Sequence, residues 1–310
     1  MLGMIAELAG GGLLLYFGGD FLVRGSSSFA LRKGVSLLVV GLTIVSMGTS
    51  APELFVSLFA QLKGSGAISI GNVVGSNIAN VGLVLGAAAL IRPLRLRKST
   101  LAAEIPIVLA ASGVLWLTVA DGKVGRLDGA VYLALFVGFL GYCFARRKSY
   151  VDEPVGVLPA KWMDWALIAG GVAGLYFGGE LFVEGAKSLA KAFGASEFFI
   201  GLSVVALGTS LPELATSVVA SLKKRDDISV GNVLGSNVFN IFFVLGIVSL
   251  IRPIGCGADS PSLMRLDLPV MAGVVLLLWP LGFRGRLGRG AGALLLAIYA
   301  VYIAVIAVRG

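Results

Sequence analysis

Gly48-Thr49-Ser50-Ala51-Pro52-Glu53-Leu54, followed by Gly71-Asn72-Val73-Val74-Gly75-Ser76-Asn77 and then Asn80, is a phrase that this chain contains twice. The second copy reads Gly208-Thr209-Ser210-Leu211-Pro212-Glu213-Leu214, then Gly231-Asn232-Val233-Leu234-Gly235-Ser236-Asn237 and Asn240. The register between copies is constant. Tyr16-Phe17-Gly18-Gly19 aligns with Tyr176-Phe177-Gly178-Gly179, and Ile91-Arg92-Pro93 with Ile251-Arg252-Pro253, without a gap. Each copy sets a glutamate, a proline, hydroxyls and amides into otherwise apolar sequence.

The surroundings of this polar island fix the fold class. Hydrophobic residues make up 57% of the 310 and charged ones 14%, with a mean hydropathy of +0.94. A soluble domain averages about 25% charged residues. Many apolar runs approach the length of about 20 helical residues that crosses a hydrocarbon core of about 30 Å. Backbone groups in lipid must be satisfied internally, by helices or closed barrels, and runs without two-residue alternation point to helices. The expected fold is therefore an all-α polytopic membrane protein embedded in a lipid bilayer.

The net charge of +8 is dispersed in short basic clusters between apolar runs, the pattern of topology signals, so no nucleic-acid partner is expected. Cys143 and Cys256 have no partner spacing and read as plain thiols. Histidine is absent, which removes the commonest transition-metal ligand and the usual proton relay near neutral pH. The first apolar run carries the repeated Tyr-Phe-Gly-Gly, so it reads as a mature span and not as a cleaved signal peptide.

Apolar runs between charged or Gly/Pro-rich breaks suggest about ten spans, at 8–31, 35–62, 67–91, 100–120, 128–145, 163–191, 196–222, 228–251, 266–283 and 290–308. Loops after odd-numbered spans hold Arg32-Lys33, Arg92 with Arg95, Arg97 and Lys98, Arg146-Arg147-Lys148, Lys223-Lys224-Arg225, and Arg284 with Arg286 and Arg289. Loops after even-numbered spans hold only scattered cations. The positive-inside rule then places both termini outside a cell membrane and the linker 146–161 in the cytoplasm. Residues 1–145 and 162–310 become two five-helix repeats, with the repeated cores at 35–91 and 196–251. An odd number of spans per half inverts the second repeat relative to the first, a common plan for secondary transporters with a midplane site. Spans 4–5 and 9–10 are too generically apolar to align.

Glu53 and Glu213 fall near the middle of spans 2 and 7. A charged group there costs about 2.5–3.5 kcal/mol on insertion scales and usually faces the protein interior for a purpose. Pro52 has no N–H for the Gly48 carbonyl and clashes with it, as Pro212 does with that of Gly208, and each pushes its preceding residue, Ala51 or Leu211, off helical angles. The break frees carbonyls around Thr49 and Thr209 beside a carboxylate, in a place where irregular backbone is tolerated only if it lines a site. Ser76 and Asn80, like Ser236 and Asn240, share one helical face, and Asn72 and Asn232 extend it. Asn77 and Asn237 lie on another face and read as structural hydrogen-bonding groups. Gly71, Gly75, Gly231 and Gly235 follow the small-xxx-small spacing of close helix packing.

These residues offer hard oxygens: carboxylates of Glu53 and Glu213, carbonyls of Thr49 and Thr209, and neutral oxygens of Ser50, Ser210, Ser76, Ser236, Asn80 and Asn240. Calcium takes about six to eight oxygens in a flexible shell, whereas magnesium demands octahedral geometry. Without His or Cys, zinc and copper are disfavoured. Two carboxylates neutralise one Ca²⁺ or two Na⁺; a third Na⁺ on neutral oxygens would make exchange sensitive to membrane potential.

The doubled GTS-x-PEL…GN-x-x-GSN pattern resembles the α-repeats of the cation/calcium exchanger superfamily, closest to prokaryotic sodium/calcium exchangers. The resemblance covers spans 1–3 and 6–8 directly. It implies electrogenic antiport of Ca²⁺ against Na⁺ by alternating access, with spans 1 and 6 sliding as a gating pair against a rigid core of eight helices. Glu53 and Glu213 would be the shared carboxylates. Thr49, Ser50, Ser76, Thr209, Ser210 and Ser236 would complete the sites, with carbonyls of Ser46 and Ala206 added. Some relatives, among them potassium-dependent exchangers, carry Asp where this chain has Asn80 or Asn240, which weakens a K⁺-cotransport reading. Proton-coupled relatives usually carry an acid inside GN-x-x, where Gly75 and Gly235 follow here, which favours Na⁺.

A Ca²⁺/H⁺ antiporter using the two glutamates as proton carriers is the second reading, and a cation channel the third. No cofactor is expected, and no zinc motif or Ser–Lys/His arrangement suggests an enzyme. Asp20 and Glu180 form a second repeated acidic pair, read as helix pairing or a gate contact, with Arg24 four residues after Asp20 and Lys187 seven after Glu180. Glu104, Asp128, Asp164 and Glu184 read as interfacial.

Overall fold

The computed structural model describes residues 2–146, 157–192, 206–256 and 263–309. They form α1 (Leu2–Lys33), α2 (Leu37–Thr49), α3 (Ala51–Leu62), α4 (Gly66–Ile91), α5 (Lys98–Asp121), α6 (Arg126–Ala145), α7 (Lys161–Ala192), α8 (Ala206–Gly208), α9 (Leu211–Leu222), α10 (Asp226–Ile251), α11 (Leu263–Gly282) and α12 (Arg289–Arg309). Eight of these helices are long and apolar enough to cross a membrane, and α2 with α3, bent by 45°, makes up to nine. The seventh expected span falls on α8 and α9, and its residues 196–205 lie outside the described residues, as do 147–156 of the expected linker.

The proline breaks fall one residue earlier than the sequence suggests. Ala51 and Leu211 are helical, the first residues of α3 and α9; the departure is at Ser50 (φ −86°, ψ 9°) and Ser210 (φ −88°, ψ 3°). Proline in a first helical turn replaces an N–H that would be orphaned anyway, so the chain restarts its helix just before each proline.

Among the described residues four segments form wide, π-helical turns: Gly41–Val45 in α2, Asn80–Leu85 in α4, Phe239–Val244 in α10 and Leu263–Asp267 at the start of α11. Such bulges concentrate at functional sites. Two of them begin at or beside Asn80 and Asn240.

Helices α4 and α10 are the centre of the molecule. In their most apolar windows 72% and 78% of residues are buried, against 22–39% for the other long helices. Gly231 and Gly235 let α10 approach the wide turn of α2, where a Cβ on Gly235 would stand 2.5 Å from the Leu42 carbonyl oxygen. This is the packing role expected for them, but not for Gly71 and Gly75, where an added Cβ would meet nothing within 4 Å.

Helices α1 and α7 run antiparallel, on a seam of glycines spaced by seven: Gly11, Gly18 and Gly25 in one, Gly171, Gly178 and Gly185 in the other. A Cβ at Gly18 would lie 2.7 Å from the Leu175 nitrogen, and one at Gly178 would lie 2.8 Å from the Leu15 nitrogen. These contacts are equivalent, since 18 and 15 shifted by 160 give 178 and 175.

Short strands relate the remaining helices. β1 (Leu94–Arg95) pairs with β4 (Arg286–Leu287), and β2 (Lys123–Val124) with β3 (Ile254–Gly255), both antiparallel. The left-handed Gly122 (φ 84°) and Gly285 (φ 77°) precede β2 and β4. A left-handed glycine followed by a short strand thus stands between α5 and α6 and again between α11 and α12.

Candidate functional site

The two island glutamates sit in the first turns of α3 and α9, where the helix N-terminus favours negative charge, and both are fully buried. They are close enough to interact electrostatically. Ser50 donates to Glu213 Oε1 at 2.8 Å, but Glu213 Oε2 and both oxygens of Glu53 have no hydrogen-bond donor among the described residues. Ser76 and Thr209 face Glu53, and Thr49 and Ser236 face Glu213; none of the four donates a hydrogen bond to the carboxylate it faces. The buried oxygens of Thr209, Ser210, Ser236, Asn80 and Asn240 are likewise unpartnered. A buried polar group without a partner is costly, and a buried charge more so. A dehydrated cation is the partner such a set of acceptors suits.

The site is framed by asparagines. Asn72 Nδ2 donates to the Glu53 carbonyl at 3.3 Å and to Ser57 Oγ at 2.9 Å. Asn232, its counterpart, donates to the Glu213 carbonyl at 3.4 Å and to Ser217 Oγ at 3.0 Å, and accepts from the Thr49 hydroxyl at 3.0 Å. Each asparagine thus ties a central helix to the helix that carries a glutamate. Asn77 and Asn237 exchange bonds across the repeats, Asn77 Nδ2 to the Asn237 carbonyl and Asn237 Nδ2 to the Asn77 carbonyl, both at 3.3 Å.

Equivalent helices surround this site unequally. α1 packs along α9, with a Cβ at Gly19 falling 3.3 Å from the Ala215 carbonyl oxygen. Between the counterpart helices α7 and α3 lies a cleft of about 590 Å³, lined by Phe55, Val56 and Phe59 on one side and Tyr176, Glu180 and Val183 on the other. Its floor includes Thr209 and Pro212, beside Glu213. The site is therefore closed along one pair of helices and approached along the other.

Of the ten residues singled out from the sequence, Thr49, Ser50, Ser76, Thr209 and Ser236 adjoin the carboxylate of Glu53 or Glu213; Ser210, Asn80 and Asn240 are buried, each with a side-chain oxygen that has no partner among the described residues. The Ser46 carbonyl, expected as a further ligand, already accepts from the Ser50 nitrogen at 3.0 Å and the Thr49 hydroxyl at 3.3 Å; Ala206 opens α8. The sequence reading gave Asn232 too small a role, although its place on the Ser236 face was the available signal.

Of the second acidic pair, Asp20 is buried and ion-paired with Arg24 at 2.8 Å and with Lys223. Glu180 is exposed and accepts from Tyr176, while Lys187 pairs with Glu184 at 2.6 Å and not with Glu180. Asp164 and Glu104 are buried rather than interfacial: Arg32 and Ser28 hold the first, and Tyr142 donates to the second. No cluster of three or more His, Cys, Asp or Glu gathers among the described residues, so the glutamate pair depends on neutral oxygens to complete any cation shell.

Comparison with known proteins points to one family by sequence and by structure. The model of the sodium/calcium exchanger protein family matches residues 4–145 and 163–308. The putative antiporter CaxA of Alkalimonas amylolytica is 37% identical, covering 94% of each chain. The sodium/calcium exchanger MaX1 of Methanosarcina acetivorans is 30% identical, covering 95% of each. The sodium-calcium exchanger NCX_Mj, in crystals soaked with zero Na⁺ and Ca²⁺, superposes with a TM-score of 0.86 at 34% identity, covering 98% of this chain and 99% of that one.

Proposed function

We propose that this chain, which belongs to the sodium/calcium exchanger protein family, exchanges Ca²⁺ for Na⁺ at the site between Glu53 and Glu213, by alternating access and with net movement of charge. Family and fold make it a multi-pass membrane antiporter of the exchanger type. The observation that carries the finer reading is the set of buried oxygens without donors among the described residues of the two polar islands: three carboxylate oxygens, two amide oxygens and the hydroxyls of Thr209, Ser210 and Ser236. Two carboxylates balance one Ca²⁺ or two Na⁺. Neutral oxygens of Asn80, Asn240, Ser76 and Ser236 can hold a further Na⁺, and its charge is the one that crosses unbalanced.

In this reading residues 1–145 and 162–310 are inverted repeats, a relation supported by the antiparallel α1 and α7 and by their equivalent contacts. The basic loops place both termini outside the cell membrane and the linker inside. The cleft between α3 and α7 then opens outward. Alternating access exchanges the two arrangements, closing α7 on α3 as α1 leaves α9.

Ca²⁺ uptake into proteoliposomes loaded with Na⁺, against K⁺ or choline loading at matched pH, tests the coupling. Uptake only with internal Na⁺ is expected, abolished by Glu53→Gln and by Glu213→Gln. Uptake that ignores Na⁺ and follows an imposed pH gradient would move the protein to proton coupling. Normal flux in both glutamate variants would refute the site.

A further inference from the structure

The amide group of an asparagine can present either its oxygen or its nitrogen to a site, and the two ends are nearly indistinguishable by shape. Only the oxygen serves a cation. The chain contains a device that settles this choice at Asn80 and Asn240.

The settlement starts from two backbone carbonyls, which can only accept. Asn77 Nδ2 donates to the Asn237 carbonyl, so the Asn77 side-chain oxygen points the other way, where Asn240 Nδ2 donates to it at 3.1 Å. Asn237 Nδ2 donates to the Asn77 carbonyl, so its oxygen in turn accepts from Asn80 Nδ2 at 3.0 Å. Turning Asn240 over would set two oxygens face to face, and turning Asn77 as well would set its oxygen against the Asn237 carbonyl. The orientation of all four amides is therefore dictated by two main-chain atoms.

All four residues are fully buried. The oxygens left over, Asn80 Oδ1 and Asn240 Oδ1, are buried without a partner among the described residues. Asn80 lies one turn beyond Ser76, which faces Glu53, and Asn240 one turn beyond Ser236, which faces Glu213. The wide turns beginning at Asn80 and Phe239 change the helical pitch at these residues.

We infer that Asn77 and Asn237 are positioning residues that force Asn240 and Asn80, respectively, to present oxygen to the transported cations. The inference rests on the site assignment proposed above. The dependence is crossed: a residue of the first repeat sets a ligand of the second, and the reverse. It also ties α4 to α10, so that both neutral ligands stay fixed to one rigid pair while other helices move.

A double-mutant cycle separates this role from plain packing. Ca²⁺ and Na⁺ affinities of the purified protein are read from the shift in melting temperature with ion concentration, independently of flux. Asn77→Ala is expected to weaken Ca²⁺ affinity about tenfold, and to weaken it no further once Asn240 is alanine. The same substitution should add its full effect to Asn80→Ala. Asn237→Ala should show the reverse pattern, coupled to Asn80→Ala and additive with Asn240→Ala.

If Asn77→Ala does not fold, Asn77→Ser and the Asn237 cycle carry the same test. An effect of Asn77→Ala that is additive with Asn240→Ala, or a lowered melting temperature with unchanged affinities, would overturn the inference. If Asn80→Ala and Asn240→Ala themselves leave both affinities unchanged, the site assignment fails first.

Discussion

Asp20 of α1 is buried against Lys223, the residue that follows α9, whereas their equivalents in the other repeat, Glu180 and Lys63, are both exposed and make no ion pair with one another among the described residues. The same 160-residue shift thus connects a closed contact to an open one. Where Asp20 and Lys223 meet, α1 lies on α9; where Glu180 and Lys63 stand apart, the cleft separates α7 from α3.

Cysteine labelling should register this difference. Val56 lines the cleft and is 40% exposed, while its counterpart Thr216 is fully buried. A membrane-impermeant thiol reagent added outside should modify Val56→Cys and leave Thr216→Cys untouched. Adding Lys223→Met removes a cation from buried Asp20, and should raise labelling of Thr216→Cys from the cytoplasmic face several-fold. Equal labelling of the two cysteines in the unaltered background would contradict an outward-open cleft.

The polar centre was legible because polar residues inside apolar spans are few and were said twice. Glu53, Glu213 and the hydroxyls around them needed only the repeat to stand out. Three features were not legible. The wide turns at Gly41–Val45, Asn80–Leu85 and Phe239–Val244 have no signature in the hydrophobic period from which the spans were read. Asn77 reads correctly as a structural hydrogen-bonding group, but its partners in the other repeat, the Asn237 carbonyl and Asn240, cannot be read from its helical face. Lys223 as a partner of Asp20 depends on a contact across 203 positions (223 − 20), and local spacing pointed only to Arg24. Long-range pairing of this kind is invisible to a reading by helical period.

Ser50 and Ser210 occupy equivalent breaks but do different things in this state. Ser50 donates to Glu213 Oε1 at 2.8 Å, and Ser210 Oγ has no partner among the described residues. A hydrogen bond to a charged group contributes about 1.5–3 kcal/mol, and about 1.4 kcal/mol is a factor of ten. Ser50→Ala should therefore change apparent external Ca²⁺ affinity by about tenfold or more, against a smaller change for Ser210→Ala. Ca²⁺ uptake measured over a range of external Ca²⁺ checks the contrast.

Arg32 and Arg24 each pair with an aspartate, but their environments differ. Asp164 is 1% exposed at its side chain and Arg32 20%, whereas Arg24 is 59% exposed. Removing one partner of a buried pair costs about 3–5 kcal/mol, while exposed pairs contribute about 0–1 kcal/mol. Arg32→Met should lower the melting temperature by several degrees. Arg24→Met should barely move it, because Asp20 keeps Lys223. Equal shifts would show that the Arg32–Asp164 tie between α1 and α7 is not buried as described.

The glycine seam gives the sharpest steric expectation. Gly18 and Gly12 are six residues apart in α1, and a helix interior penalises glycine relative to alanine by about 1 kcal/mol, so propensity alone favours Gly→Ala at both. Space decides otherwise. A Cβ at Gly12 meets nothing within 4 Å, but one at Gly18 would lie 2.7 Å from the Leu175 nitrogen and 2.9 Å from the Gly174 carbonyl carbon. Both obstacles are backbone, which cannot turn aside as a side chain can, so α7 must move away along its length. Overpacking of this kind costs about 1–3 kcal/mol, enough to reverse the propensity gain. Gly12→Ala should raise the melting temperature slightly and leave Na⁺-dependent Ca²⁺ uptake intact; Gly18→Ala should lower both. If α1 and α7 move as one body during exchange, the equivalent Gly178→Ala, 2.8 Å from the Leu15 nitrogen, should reproduce the defect, and adding it to Gly18→Ala should cost less than the sum. The first substitution already separates the helices that the second would force apart. Full additivity would mean that the two contacts yield independently and that the seam does not hold the pair together as a unit.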